Sequence, residues 1–286
     1  MKQAVIIGVG LIGGSFALDL RRLFPQIEIA GTDLSETNLQ IAIDRKLIDR
    51  VAVGKDYQSA DLIIVAIPVN ETCRLLPELL DHCGENTLVM DVGSTKANIC
   101  KAVKTHPRRA HFLAAHPIAG TEFSGPAAAI HSLFQGKSQI LCETENTRKD
   151  LLDNLIKIFN QLGMRVLFMN AKDHDKHIAY VSHLSHISSF MLGKTVLEIE
   201  KNEKNIFDMA GSGFGSTVRL AKSSPAMWTP IFVQNKKNVL TALDEYILNL
   251  QEFRKMIAEE DIDGIFQDMQ NTNHIREVLK GIYNEV

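Results

Sequence analysis

The sequence predicts an α/β fold in its N-terminal part, a parallel sheet with covering helices, followed by an all-helical C-terminal part. Three observations carry this expectation. Short apolar runs alternate with helix-like stretches for a little over half the chain. The runs Leu62–Ile67, Leu88–Val92 and Phe112–Ala115 are nearly continuous in Val, Ile, Leu, Met and Ala, as parallel strands covered on both faces require. Beyond Asn170 the strand signals stop, and long segments with helical periodicity replace them. The expected division is therefore a sheet domain over residues 1–169 and a helical domain over residues 170–286.

The first strand, Ala4–Ile7, runs straight into Gly8-Val9-Gly10-Leu11-Ile12-Gly13, and Asp33 follows twenty residues after the last glycine. Gly8 permits the tight strand-to-helix turn, Gly10 lets a pyrophosphate approach the backbone, and Gly13 lets the next helix pack closely on the strand. The positive end of that helix, read from Ser15 to Leu23, faces the phosphates. A second strand, Ile27–Thr32, leads to Asp33, which can accept both ribose hydroxyls of NAD. NADP would bring a phosphate against that carboxylate, and Leu34 and Ser35 offer no compensating arginine. The expectation is a Rossmann-type sheet binding NAD through Gly8, Gly10, Leu11, Ile12, Gly13 and Asp33.

After the three central strands, Gln139–Cys142 and Arg165–Phe168 complete the sheet around a helix from Arg148 to Leu162. The helical part then reads as a long segment from Asp173 to Glu200, short helices between Asn205 and Lys222, and a further long stretch from Ala226. Within that stretch Leu240, Leu243, Ile247, Leu250, Phe253 and Ile257 recur at steps of three and four. Such a stripe suits a core face. It also suits a homodimer interface, since long helices in so small a domain have few partners of their own.

With 286 residues, 45% of them apolar, the chain has ample material for one large core or two ordinary ones. A formal net charge of −3 provides no broad basic field, so nucleic acid and anionic membranes are not indicated partners and a small-molecule substrate is expected. Cys73, Cys83, Cys100 and Cys142 lack metal-ligand spacing and read as reduced packing thiols. No apolar run has the length of a membrane span, and the first strand leaves no room for a signal peptide. A cytoplasmic enzyme is the expectation.

Ligands of open parallel sheets bind at the carboxyl ends of the strands. Leu88–Val92 ends in Gly93-Ser94-Thr95-Lys96 and Phe112–Ala115 ends in His116-Pro117, so Ser94 and His116 should enter one crevice. A histidine is largely neutral at pH 7 and can take a proton from a hydroxyl as hydride leaves, which makes His116 the candidate general base. Ser94 suits orienting the base or the substrate and suits equally the N-cap of the next helix. Lys96 reads as a solvated or phosphate-facing side chain and a minor candidate.

His174, His177, His183 and His186 invite a metal reading, which helical geometry opposes. At about 100° per residue His183 and His186 lie roughly 60° apart, with His174 and His177 on the other side. The latter two are expected to be exposed beside Asp173 and Asp175; the former two either face a cleft between the domains or serve as packing histidines. No metal is expected. Gly211-Ser212-Gly213-Phe214-Gly215 leads towards Arg219, whose planar fork suits the carboxylate of an acidic substrate.

Several of these segments, taken together, resemble the prephenate dehydrogenase family, which includes arogenate and cyclohexadienyl dehydrogenases. They are Gly8 to Gly13, Asp91 to Lys96, His116-Pro117-Ile118-Ala119-Gly120-Thr121-Glu122, Ser182 to His186, and Gly213-Phe214 through Arg219 to Trp228, in the family's order over nearly the whole chain. Ser185 departs from it, standing where the family commonly has proline. The resemblance implies a helical dimerisation domain and an active site between the domains. It makes His116 the partner of a ring hydroxyl, with Ser94 positioning it and the nicotinamide. Arg219 becomes the partner of a substrate carboxylate, His186 and His183 complete the pocket, and Glu122 gates or orients. The implied reaction is NAD-dependent oxidative decarboxylation of prephenate to 4-hydroxyphenylpyruvate, or of arogenate to tyrosine, in tyrosine biosynthesis. With the helical domain running to Val286, no appended chorismate mutase or regulatory domain is expected, and inhibition by tyrosine would act at the cleft. Two rival readings are a 3-hydroxyacid or imine reductase, which would not require Arg219 and the paired histidines, and a non-catalytic NAD-sensing protein.

Overall fold

Strand β1 (Gln3–Ile7) has apolar side chains on both faces and is buried from Ala4 onward. A strand of this kind belongs at the centre of a covered sheet, and it lies there. The computed structural model describes residues 1–201, 203 and 205–283. Among these, helix α1 (Leu11–Leu23) follows the glycine turn, and β2 (Glu28–Thr32), α2 (Glu36–Asp44), β3 (Arg50–Val51) and α3 (Gly54–Ser59) come next. Then β4 (Leu62–Val65), α4 (Val69–His82), β5 (Leu88–Asp91), α5 (Ala97–Ala102) and β6 (Phe112–Pro117) continue the alternation. β7 (Ser138–Cys142), α6 (Lys149–Gln161) and β8 (Arg165–Met169) close the sheet.

The eight strands lie in the order β3-β2-β1-β4-β5-β6-β7-β8. Every neighbouring pair is parallel except β6 and β7. The chain between them, residues 118–137, carries only a short 3₁₀ turn at Pro126–Ala128 and no crossover helix, so β7 returns antiparallel. The two-residue β3 was not legible as an apolar run; Arg50 anchors it through Glu28 and Asp56 at 2.7 and 2.6 Å. Alternate side chains fill the two layers. Ile6, Ile29, Leu113, Phe134 and Phe159 pack on one face, and Val5, Ile63, Val89, Phe112 and Trp228 on the other.

The helical segment opens with α7 (Ala171–Ile178), whose N-cap Asn170 accepts the Asp173 N–H at 2.8 Å. It does not continue as one regular helix to Glu200. A wider i→i+5 turn, Ala179–His183, intervenes before α8 (Leu184–Glu200), and such a turn advances less rotation per residue, changing which side chains share a face. α9 (Ser212–Thr217) and α10 (Pro225–Gln234) follow, with a 3₁₀ turn at Arg219–Lys222 between them.

The chain divides into two compact units, Met1–Lys236 and Lys237–Val286. The second consists of most of α11 (Lys236–Ala258), with α12 (Ile262–Thr272) and α13 (Ile275–Tyr283). In it Ile247, Leu250, Ile257, Ile262, Phe266 and Met269 are exposed, the signature of a face meant for another surface. Among the described residues no helix is long and apolar enough to cross a membrane.

Two glycines set the β1–α1 turn. Gly8 has φ +91°, and a Cβ there would stand 2.5 Å from the Ala66 carbonyl oxygen. A Cβ on Gly13 would stand 2.2 Å from the Gly8 carbonyl oxygen, a collision with backbone that no rotamer relieves. Gly13→Ala is therefore expected to destabilise the protein by at least about 1–3 kcal/mol, as overpacking of a rigid interior does; a urea midpoint equal to that of the native protein would contradict it.

Candidate active site

The ends of three elements surround a cavity of about 620 Å³: the α1 N-terminus at Gly10, Leu11 and Ile12, the β5 end at Ser94, and the β6 end at His116. Glu122 from the loop after β6, His186 from α8 and Arg219 line the same space. The structure thus brings together eight residues selected from sequence. Gly8 and Gly13 lie beneath the turn. Asp33, at the end of β2, accepts N–H groups from Val9 at 3.3 Å and Ser35 at 3.0 Å and the Asn38 amide at 3.1 Å, which fixes its carboxylate beside the glycine turn. A Cβ added to Gly10 meets nothing within 4 Å. Open backbone there, close packing at Gly8 and Gly13, and a fixed carboxylate beyond fit a dinucleotide.

His116 is buried, and its Nδ1 lies 2.8 Å from Nε2 of His174. His174 Nδ1 in turn lies 2.8 Å from the Asp175 carboxylate. That carboxylate also accepts the backbone N–H groups of Lys96 and Ala97 at 2.7 and 2.9 Å, capping α5. Ser94, half-buried at the cavity wall, is not the cap. Two expectations are corrected here. His177 is exposed, but His174 is buried, as is Asp175 beside it, because Ala171, His174, Asp175 and Ile178 form one inward face of α7. Lys96 is neither solvated nor phosphate-facing: it is fully buried, its ammonium paired with Asp91 and donating to the Ala115 carbonyl at 2.6 Å. Burial pushes the Asp91 carboxyl up, and Lys96 with the Gly93 and Ala115 N–H groups opposes this.

His183 and His186 part company. His186 lines the cavity, stacked on Trp228 with ring centroids 3.5 Å apart and Nδ1 donating to the Ser182 carbonyl at 2.9 Å. His183 lies beneath, fully buried, edge-on to Trp228 and 3.2 Å from the Asn235 amide. Its place is that of a packing histidine supporting the cavity wall. Ser185, exposed one residue into α8, donates to the Val181 carbonyl at 3.4 Å across the wide turn. Arg219 is half-exposed and paired with Glu122 at 3.2 Å. The Glu122 carboxyl is held below its ordinary range by its own backbone N–H and by that guanidinium. Among the described residues no three His, Cys, Asp or Glu side chains gather as metal ligands.

Sequence reasoning gave His174, Asp175 and Trp228 no place in the site. The signal for the first two was present in the 171, 174, 175, 178 spacing of a helical face, with polar residues standing at apolar positions.

A mostly parallel sheet with a glycine turn and an acidic residue after β2, opening on one crevice, defines a Rossmann-type dinucleotide-binding protein. Family models match the chain in two parts: the prephenate dehydrogenase nucleotide-binding domain over residues 16–168 and the prephenate dehydrogenase dimerization domain over residues 170–271. The chain belongs to the prephenate dehydrogenase family. It is 32% identical to the prephenate dehydrogenase of Bacillus subtilis (strain 168), over 98% of this chain and 76% of that one. It is 28% identical to the cyclohexadienyl dehydrogenase of Zymomonas mobilis, over 98% of this chain and 96% of that one. A crystal structure of the Aquifex aeolicus prephenate dehydrogenase in complex with hydroxyphenyl propionate and NAD+ superposes with a TM-score of 0.86 at 30% identity, covering 98% of each chain.

Burial holds His116 well below the ordinary histidine range, lowers His174 despite the opposing Asp175, and pushes His183 down to about 4. Between about pH 6.5, the ordinary histidine pKa, and those lowered values, the unfolded chain binds more protons than the folded one. Stability is then full above about pH 6.5 and falls as pH falls through that window. A urea midpoint that declines steadily from pH 6.5 to 5, with a shallower decline in His183→Gln, is expected. An unchanged midpoint between pH 7 and 5 would contradict it.

Proposed function

We propose that this chain catalyses NAD-dependent oxidative decarboxylation of prephenate to 4-hydroxyphenylpyruvate, with His116 as the base for the ring hydroxyl. The observation that carries the reading is one cavity shared by the dinucleotide turn, a buried histidine and a guanidinium. The names of the Bacillus and Aquifex relatives support the substrate. NAD would be held by the backbone from Gly8 to Gly13, with Leu11 and Ile12 beside it and the Asp33 carboxylate as the acceptor for its ribose hydroxyls. When bound, the nicotinamide supplies the hydride acceptor. His116 takes the hydroxyl proton at Nε2 as hydride departs from the carbon bearing that hydroxyl. The ring carboxylate leaves as carbon dioxide, its bonding electrons completing the aromatic ring as a phenolate, which takes the proton back from His116 to give the hydroxyl of the product. Ser94 orients the base and the nicotinamide end of the cavity. Arg219 holds a substrate carboxylate, Glu122 holds Arg219 in readiness, and His186 closes the wall beside it. His183 acts from behind, through Trp228.

The helical part over residues 170–286 serves as the dimerisation and substrate-binding domain of a cytoplasmic homodimer, a reading supported by the exposed apolar faces of α11 and α12 and by the four free cysteines.

The test is NADH formation by purified protein with prephenate, and separately with arogenate, each with NAD and with NADP. Turnover of prephenate with NAD is expected; NAD binding without turnover of either substrate would favour a sensor and refute the proposal. His116→Asn should lower kcat about 10²- to 10⁴-fold, the worth of a positioned base, and a loss below tenfold would contradict its role. Arg219→Gln should chiefly raise KM, on the order of 10- to 100-fold, what one charge-assisted hydrogen bond is worth. An unchanged KM would remove Arg219 from carboxylate binding.

A further inference from the structure

Three side chains stand in a row, each determining the protonation of the next. The Asp175 carboxylate accepts two backbone N–H groups, from Lys96 at 2.7 Å and Ala97 at 2.9 Å. Held in this way it is an acceptor only, so the 2.8 Å contact with His174 requires a proton on His174 Nδ1. A neutral His174 then presents a lone pair at Nε2. The 2.8 Å contact between that nitrogen and His116 Nδ1 requires a proton on His116 Nδ1. The remaining nitrogen of His116, Nε2, is left without one, and it belongs to a residue lining the cavity. Free histidine in water favours the opposite tautomer, with the proton on Nε2, which could not accept a proton from a substrate.

We propose that His174 and Asp175 are positioning residues that hold His116 in its Nδ1–H tautomer, with a bare Nε2 turned to the substrate. The proposal rests on the reading of His116 as the base, but the tautomer is a property of the ligand-free protein and can be observed without turnover. The surrounding charges agree with it. Burial, with the Lys96 ammonium nearby, disfavours a second proton on the His116 ring. The Lys96 ammonium is in turn tied to Asp91 and to the carbonyl of Ala115, the residue before His116. Asn235 donates to the Asp175 backbone carbonyl at 2.6 Å, fixing the chain from which the carboxylate projects. When the substrate proton arrives at Nε2, the imidazolium of His116 donates Nδ1–H to His174, whose far side faces the Asp175 carboxylate. The positive charge thus forms in line with a buried negative one.

The experiment is ¹⁵N–¹H correlation spectroscopy of histidine side chains in the full-length protein without ligand, the His116 signals being those lost in His116→Asn. The native protein should show a protonated Nδ1 and a pyridine-like Nε2 on His116. In His174→Phe the proton should move to Nε2. In His174→Gln, whose amide can donate to Asp175 and accept from His116, the native tautomer should be kept. With prephenate and NAD, His174→Phe should lose about 10²- to 10⁴-fold in kcat, in the range seen when a triad carboxylate no longer fixes its histidine, with KM little changed. His174→Gln should recover most of that loss. An Nε2–H tautomer in the native protein would overturn the proposal whatever the variants do, as would an unmoved proton in folded His174→Phe. Absence of prephenate turnover alongside the expected tautomers would refute the proposed reaction and leave this assignment standing.

Discussion

One carboxylate organises the centre of this protein. The first backbone N–H groups of a helix have no partner within it, and at α5 two of them are satisfied by Asp175, which comes from α7, nearly eighty residues later in the chain. This contact ties the β5–α5 turn, which carries Ser94, to the helix that carries His174. The Asp91–Lys96 pair closes the ring from the other side, joining the β5 end to the β6 end at Ala115. His116 is the next residue. Its position is therefore set from both neighbours along the sheet edge and from the helix above, before any ligand is present. A buried ion pair is costly to break, because either partner alone is an uncompensated charge. Such a ring favours a single geometry at the site more than it favours stability.

The other half of the cavity rests on backbone shape. The glycine turn places the α1 N-terminus against open space, and α1 is also bound to the loop that follows β6. Ser15 accepts the Ile130 N–H at 3.1 Å and Asp19 accepts the Ser132 N–H at 3.0 Å. Arg45, just past α2, donates to the carbonyls of Pro126 and Ala129. The loop that carries Glu122 is thereby anchored, at its far end, on the two helices that frame the dinucleotide turn. The glycine turn and the loop that carries Glu122 share one support.

Much of this was legible in the sequence. The apolar runs located seven of the eight strands, the glycine spacing fixed the nature of the first turn, and the strand ends identified Ser94 and His116. Arg219 came from the glycine-rich segment before it and from its planar fork, Glu122 from motif resemblance, and the structure places them 3.2 Å apart on the same cavity. What escaped reading was of two kinds. Strand β3 is two residues long, and the reversal of β7 depends on the lack of a helix in residues 118–137, so neither leaves a periodic trace. His174 was misread because its face of α7 was taken as the solvent side, and the shared face of His183 and His186 rested on a regular α-helix across residues 179–183. The wider turn there rotates His183 under Trp228, while the face of α7 turns His174 and Asp175 inward. Lys96 was read as solvated because lysine is so seldom fully buried; only the topology, which seats Asp91 and the Ala115 carbonyl around it, reveals its partner.

The central claim is that His116 Nε2 receives the ring hydroxyl while Arg219, lining the same cavity, holds a carboxylate. A crystal structure of this protein with NAD and 4-hydroxyphenylpropionate tests it most directly. The phenolic oxygen should lie within hydrogen-bond distance of His116 Nε2, with His116 Nδ1 still on His174 and the carboxylate on Arg219. A phenolic oxygen held by another group, or His116 turned so that Nε2 faces His174, would contradict the account.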